Sequence, residues 1–255
     1  MKLTDRQIEK GFWHYDQNNP WEPNSVTSST EYSGDDLLNI ACTQLEKYSE
    51  QKKIVKDWCK VLPSLENVKF LWFTSQVNQD LFDAVCEMKN LNGLFIKWSS
   101  IKDINNIQKL KSLKHLHIGS SSQIKDVRTL ADLTNLETID LQNIKSLTDI
   151  SPICELTKLQ GLGIDGDWGK NQTIETLSPI SKLQNLKYIT LIGTKITDQS
   201  LKPLADIKSL ERVWTALWFR KSEFEYVYNN LPNLKYGNLI QIMTDKNFCK
   251  ENRIK

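Results

Sequence analysis

Leu113-Lys-His-Leu116-His-Ile118, Leu136-Glu-Thr-Ile139-Asp-Leu141, Leu159-Gln-Gly-Leu162-Gly-Ile164 and Leu186-Lys-Tyr-Ile189-Thr-Leu191 are four copies of one frame, L-x-x-L-x-L, with apolar residues in the L places. The copies begin at 113, 136, 159 and 186, so the steps are 23, 23 and 27 residues. A repeat this short cannot bury its own apolar face. It must stack on its neighbours, and the stacked units then share one continuous core.

The frame extends in both directions. Leu65-Glu-Asn-Val68-Lys-Phe70 and Leu91-Asn-Gly-Leu94-Phe-Ile96 fit upstream. Leu210-Glu-Arg-Val213-Trp-Thr215 and Leu234-Lys-Tyr-Gly237-Asn-Leu239 fit downstream, with one defect each at Thr215 and Gly237. Each frame reads as a short strand, and eight of them predict a parallel sheet roughly 34 Å across at about 4.8 Å per step. The frame and period resemble the leucine-rich-repeat family, and the short repeats are similar to those of its internalin-like and phosphatase-regulator members. That resemblance implies a right-handed solenoid with its strands on the concave face.

The segments between frames carry apolar residues nine, six and three places before the next frame, as in Val127, Leu130 and Leu133. A strict spacing of three predicts slim 3₁₀-like segments or short helices on the convex side, not long α-helices. At the ends, Leu81, Phe82, Val85, Met88 and Phe224, Val227, Tyr228, Leu231 follow the wider spacing of true α-helices. Asp103, Asp126, Asp149 and Asp198 recur at one structural place, each just ahead of a convex segment, and are expected to cap it.

Ahead of the frames, Leu37, Leu38, Ala41, Leu45 and Tyr48 are spaced for a helix, followed by a second with Ile54, Val55, Trp58 and Leu62. Together these predict a helical cap over the first rung. Earlier still, Phe12, Trp13, Tyr15 and Trp21 crowd an otherwise loop-like arm, which is therefore expected to dock on the solenoid. The expected organisation is an arm and helical cap over 1–64, a solenoid over 65–239 and a C-terminal tail or cap over 240–255.

Side chains alternate along a strand, so the residues between the L places face the concave surface. That surface is expected to carry Lys69, Leu71, Trp72, Phe95, Lys97, Trp98, His115, His117, Asp140 and Gln142. It continues with Asp165, Asp167, Trp168, Tyr188, Arg212, Trp214, Trp218 and Arg220. Five of the eight tryptophans fall here, and aromatic residues with arginine are what energetic hot spots are made of. All of these except Lys69 and Leu71 are candidate partner-binding residues.

His115, His117 and Asp140 together could ligate zinc, but without a fixed second shell two histidines and one carboxylate are read as hydrogen-bonding or partner-facing groups. The Asp165–Thr176 loop lacks the glycine and glutamate of a calcium loop. Phosphate-loop, dinucleotide, serine-hydrolase and zinc-protease motifs are absent from the sequence. With 33 basic against 31 acidic residues there is no electrostatic footprint for nucleic acid. No apolar run is long enough to span a bilayer, and the first ten residues have no apolar signal core. Five scattered cysteines predict reduced thiols.

The reading is an α/β leucine-rich-repeat solenoid acting as a non-enzymatic, cytoplasmic, protein-binding module, monomeric when free, without cofactor or metal. The partner is expected to be another protein, such as a toxin or enzyme that this chain neutralises in the manner of an immunity protein. The alternatives are a scaffold or regulatory adaptor subunit, and an exported internalin-like recognition protein. Its Lys-, Asn- and Ile-rich composition points to an AT-rich bacterial genome.

Overall fold

The computed structural model describes residues 3–11, 23–167, 169 and 171–252. Eight strands pair in parallel, each with the next along the chain except for two that leave the sheet: β1 (Leu37–Ile40), β2 (Phe70–Phe73), β3 (Gly93–Ile96), β4 (His115–Ile118), β5 (Thr138–Gln142), β6 (Gly161–Asp165), β8 (Tyr188–Leu191) and β10 (Arg212–Thr215). The two are β7 (Gln172–Ile174) and β9 (Thr194–Ile196), which pair in a separate two-stranded ribbon. Helices are α1 (Asp5–Lys10), α2 (Tyr48–Val61), α3 (Gln79–Val85), α4 (Ser151–Cys154), α5 (Lys221–Asn230), α6 (Asn238–Thr244) and α7 (Lys246–Glu251).

The register explains why this sequence stacks. Leu38, Leu71, Leu94, Leu116, Ile139, Leu162, Ile189 and Val213 stand level on consecutive strands, and all are buried in one core. A one-residue slip anywhere would turn a strand's apolar set to the concave side, so the hydrophobic column itself enforces the pairing. The convex side follows the spacing of three. Asn105–Lys109, Arg128–Asp132, Ser178–Lys182 and Lys202–Asp206 are 3₁₀ turns, whereas α3 and α5 near the ends are full helices.

Three of the four recurrent aspartates accept the first N–H of the convex segment: Asp103 Oδ1 from Asn105 (2.7 Å), Asp126 from Arg128 (2.9 Å) and Asp149 from Ser151 (2.8 Å). Asp198 instead accepts from Ser200 (3.1 Å), ahead of the segment Lys202–Asp206, whose first N–H is met by Ser200 Oγ (3.3 Å). Between rungs, Ser99 and Ser121 bond each other (2.6 Å) and Thr194 donates to the Ile164 carbonyl. A mixed hydroxyl ladder thus satisfies buried backbone groups.

The structure shifts the set of strands by one repeat. The helix expected from Leu37 to Tyr48 is strand β1, because Leu38 and Ile40 alternate into the core and β2 supplies a hydrogen-bonding edge. Apolar spacing of one and three fits either element over so short a run, and the neighbouring strand decides. The frame expected to start at Leu65 starts three residues later, at Val68. Leu71 therefore points into the core rather than to the concave face, and Phe70 and Trp72 point outward beside Gly93 and Phe95. At the other end the frame at Leu234 makes only a bridge from Tyr236 to Arg212. Gly237 turns left-handed (φ 99°) there, and its neighbour Asn238 bonds both the N–H (3.0 Å) and carbonyl (2.7 Å) of Thr215. The side-chain amide takes the place of a further strand, and the chain leaves as α6.

α2 covers the convex side at the N-terminal end. It buries Val55 and Trp58, and the Trp58 indole donates to the Thr27 carbonyl (2.8 Å). Val26 closes the free edge of β1, donating to Asn39 O and accepting from Ala41 N, both at 2.9 Å. Cys42, Cys86 and Cys154 are core residues, and Cys59 and Cys249 are half-buried. All five thiols are free. Burial pushes the Cys42 and Cys154 thiols up to about 12, far from the reactive range. Among the described residues no helix is long and apolar enough to cross a membrane.

Candidate functional site: the concave face

The outward positions of the sheet form two columns. One runs Leu37, Phe70, Gly93, His115, Thr138, Gly161, Tyr188, Arg212. The other runs Asn39, Trp72, Phe95, His117, Asp140, Gly163, Thr190, Trp214. The first half is therefore aromatic and the second polar. Trp72 and Phe95 are buried with Leu37 and Phe70 packed against them, and His117 stacks on Phe95 with ring centroids 4.3 Å apart.

The second half is covered by the chain's own N-terminus. Thr4 caps α1, accepting from Gln7 N–H (3.3 Å) while the Thr4 N–H donates to Gln7 Oε1 (2.9 Å). Gly11 ends the helix with φ 74°, a conformation that favours glycine. Leu3 and Ile8 bury themselves against Tyr188, with Tyr236 alongside. The Leu3 N–H donates to Gln160 Oε1 (3.2 Å), and Arg212 Nε donates to the Glu9 carbonyl (3.1 Å). A Cβ on Gly11 would stand 2.3 Å from Arg212 Nη1, so the arm and the guanidinium are fitted to each other. The four arm aromatics expected to dock (Phe12, Trp13, Tyr15 and Trp21) lie outside the described residues.

Beneath α1 lies a buried polar cluster made possible by strand β6. Gly161 leaves room for the Tyr188 ring and Gly163 for the Asp140 carboxyl. A Cβ at these positions would come within 2.1 Å of the ring and 2.4 Å of the carboxyl. Among the described residues Asp140 Oδ2 is buried without a hydrogen-bond partner. Burial, reinforced by the charge of Asp165, holds the Asp140 carboxyl well above the usual carboxylate range despite Arg212. Asp165 is raised to about 7 by burial, against the opposing pull of the Ile192 N–H (2.6 Å) and Arg212. Burial, with Lys114 nearby, lowers His115 to about 3, so its imidazole is neutral at ordinary pH; its Nδ1 lies 3.0 Å from Thr138 Oγ1. With one histidine bonded to Thr138 and the other stacked on Phe95, the His115, His117 and Asp140 set is not arranged around a common point. No group of three or more His, Cys, Asp or Glu among the described residues could hold a metal ion.

The candidate residues thus separate into three groups. Trp72, Phe95, His115, Asp140, Tyr188 and Arg212 are buried, Tyr188 completely. Trp98, His117, Gln142, Asp165 and Asp167 are half-buried, with Asp167 accepting from Ser120 Oγ (3.2 Å). Lys97, Trp214, Trp218 and Arg220 are exposed; Trp168 lies outside the described residues. Trp214 is 37% and Trp218 51% exposed, and Ile192, an outward position by the same alternation though not among the binding candidates, is 46% exposed just past the end of β8. Arg212 sits 5.2 Å from the Trp214 ring centroid, linking the covered part of the face to the open part.

No protein-family model matches the sequence, and no curated protein matches it. Solved structures do. Internalin C2 of Listeria monocytogenes superposes with a TM-score of 0.52 at 23% identity, over 69% of this chain and 73% of that one. An internalin F from the same organism gives 0.49 at 16% identity over 79% and 66%. A leucine-rich-repeat protein of Leptospira interrogans gives 0.47 at 14% identity over 87% and 62%. At these identities it is the fold that is shared. By its repeats, its eight-stranded parallel sheet and its likeness to internalin C2, the chain is a leucine-rich-repeat solenoid.

Proposed function

We propose that the chain is a non-enzymatic protein-binding module whose contact surface is the open, C-terminal part of the concave face and its rim. The observation that carries this is the exposure of Trp214 on β10, with Ile192 just past the end of β8 and Trp218 just past the end of β10 also exposed. Large aromatic side chains left in water are costly for a folded chain and rewarding for a complex, where a hot-spot side chain contributes roughly 2 kcal/mol or more. Strand β10 holds Trp214 with little freedom to lose on binding.

Within that class the reading extends to a neutraliser that binds one protein, such as a toxin or enzyme, in the manner of an immunity protein. Its width suits a folded partner rather than a small molecule. Five free thiols fit action in the cytoplasm. The test is affinity capture from the native host with the parent chain and with the Trp214→Ala, Trp218→Ala double variant. One stoichiometric partner recovered by the parent and lost by the variant supports the neutraliser. Several weak partners point instead to an adaptor, and an unchanged set of captured proteins removes this surface from consideration.

A further inference from the structure

Arg212 is 4% exposed, yet among the described residues no carboxylate lies within ion-pair distance of its guanidinium. Its polar contacts are neutral: the Glu9 carbonyl at 3.1 Å and Thr190 Oγ1 at 2.8 Å. A buried cation held only by neutral acceptors retains much of its desolvation cost. A carboxylate in place of the carbonyl forms a charge-assisted bond about twice as strong. The carbonyl belongs to a six-residue helix, too short to persist undocked. That helix is held by Leu3 and Ile8 against Tyr188 and Tyr236 and by two long-range hydrogen bonds. Its own charged residues, Asp5, Arg6, Glu9 and Lys10, are exposed.

We propose that the floor formed by Tyr188, Arg212 and Tyr236 is a docking site for a partner segment carrying a carboxylate among aliphatic residues, and that α1 is its resident occupant, displaced when the partner binds. This deepens the protein-binding reading and rests on it. Entry is from the Trp214 side, where the indole beside Arg212 is already open. The other titratable groups facing the guanidinium are Asp140 of β5, Asp165 of β6 and Tyr188 of β8. Burial pushes the Asp140 carboxyl and the Tyr188 hydroxyl up, and Asp165 to about 7. As pH falls through that value less negative charge faces Arg212, so an incoming carboxylate is favoured most on the acid side.

The test uses the full chain and two N-acetylated peptides spanning residues 3–9, one ending in a free carboxylate and one in an amide. The free carboxylate falls where the Glu9 carbonyl now meets Arg212. Ile8→Asp undocks α1, and Gly11→Val does so by a second route, through the left-handed φ and the collision with Arg212. The expected result is that the Ile8→Asp chain melts cooperatively and binds the acid peptide at least tenfold tighter than the amide. The parent should bind the acid peptide at least tenfold more weakly than that variant. The acid preference should shrink from pH 6 to pH 8 and vanish when Arg212→Met is added. Equal affinity for the two peptides, or a preference that survives Arg212→Met, overturns the proposal. So does the absence of peptide binding in both undocked variants, or loss of the whole solenoid in both, which would make α1 a fixed part of the core. Because the probes derive from this chain, failure here is distinct from failure of the Trp214 and Trp218 surface to capture a partner.

Discussion

Arg212 Nε donates to the carbonyl of Glu9 at 3.1 Å, joining residues 203 apart in the chain. The bond ties the last strand of the sheet to the first helix and turns part of an expected binding face into an internal contact. Several consequences can be measured.

Replacing Ile8 by Ala removes most of the side chain buried against Tyr188 and Tyr236. The expected loss is about 2 kcal/mol of docking energy for α1. Hydrogen exchange at residues 7–11 should then accelerate roughly 30-fold, while the amides of β4 to β6 exchange as before.

Adding a methyl group to the outward side of strand β6, which α1 covers, should be costly. Gly161→Ala drives a Cβ to within 2.1 Å of the Tyr188 ring, which is pinned beneath α1. Overpacking of this kind costs about 1–3 kcal/mol. Gly163→Ala meets the end of the Asp140 side chain, which can rotate, so its cost should be the smaller of the two in urea unfolding.

Core and rim should respond oppositely. Leu162→Ala, in the stacked column, is expected to lose about 2–5 kcal/mol of stability. Trp214→Ala should change stability by roughly 0.5 kcal/mol or less while lowering partner affinity. A Trp214→Ala chain that unfolds as readily as Leu162→Ala would show the indole to be structural.

The capping aspartates predict a repeating increment. Asp149→Ala removes the acceptor of the Ser151 N–H (2.8 Å) and should cost about 1 kcal/mol. Asp149→Asn, which keeps the acceptor, should recover most of it.

The pH dependence follows from Asp165. Its folded-state value is raised to about 7, so the folded chain holds this proton more tightly than the unfolded chain. The stabilisation is complete below the ordinary carboxylate range and is lost as pH rises to about 7. Asp140, raised in the same direction, adds a loss of the same sign. One group contributes at most about 1.4 kcal/mol per pH unit. His115, lowered to about 3, contributes the opposite sign up to its ordinary value near 6.5, so the comparison with a variant carries the test. In urea melts between pH 5 and 8 the parent should lose stability with rising pH relative to Asp165→Asn, up to about 7. Parallel profiles for the two chains would contradict the placement of Asp165.

The ladder was readable because its cause is local and repeated. Each L-x-x-L-x-L frame needs only its own alternation and a neighbour of the same kind, so the leucine column, the convex turns and the aspartate caps all follow from spacing. The ends were not readable in this way. Leu37–Ile40 and Leu234–Leu239 are short runs whose state depends on whether a strand edge or the Asn238 side chain meets them. The candidate face was legible as a set of outward positions but not as an exposed surface. Tyr188, Arg212 and Trp214 alternate outward by the same rule, yet the first two are covered and the third is open.

By itself, then, the sequence determined the solenoid, its repeat and the direction of its side chains, because periodic burial is written residue by residue. Only the tertiary structure decided which outward residues meet water. The docking of Leu3 to Gly11 on strands more than 150 residues away depends on a long-range fit between aliphatic side chains, a tyrosine pair and one guanidinium, and such a fit leaves no period in the chain.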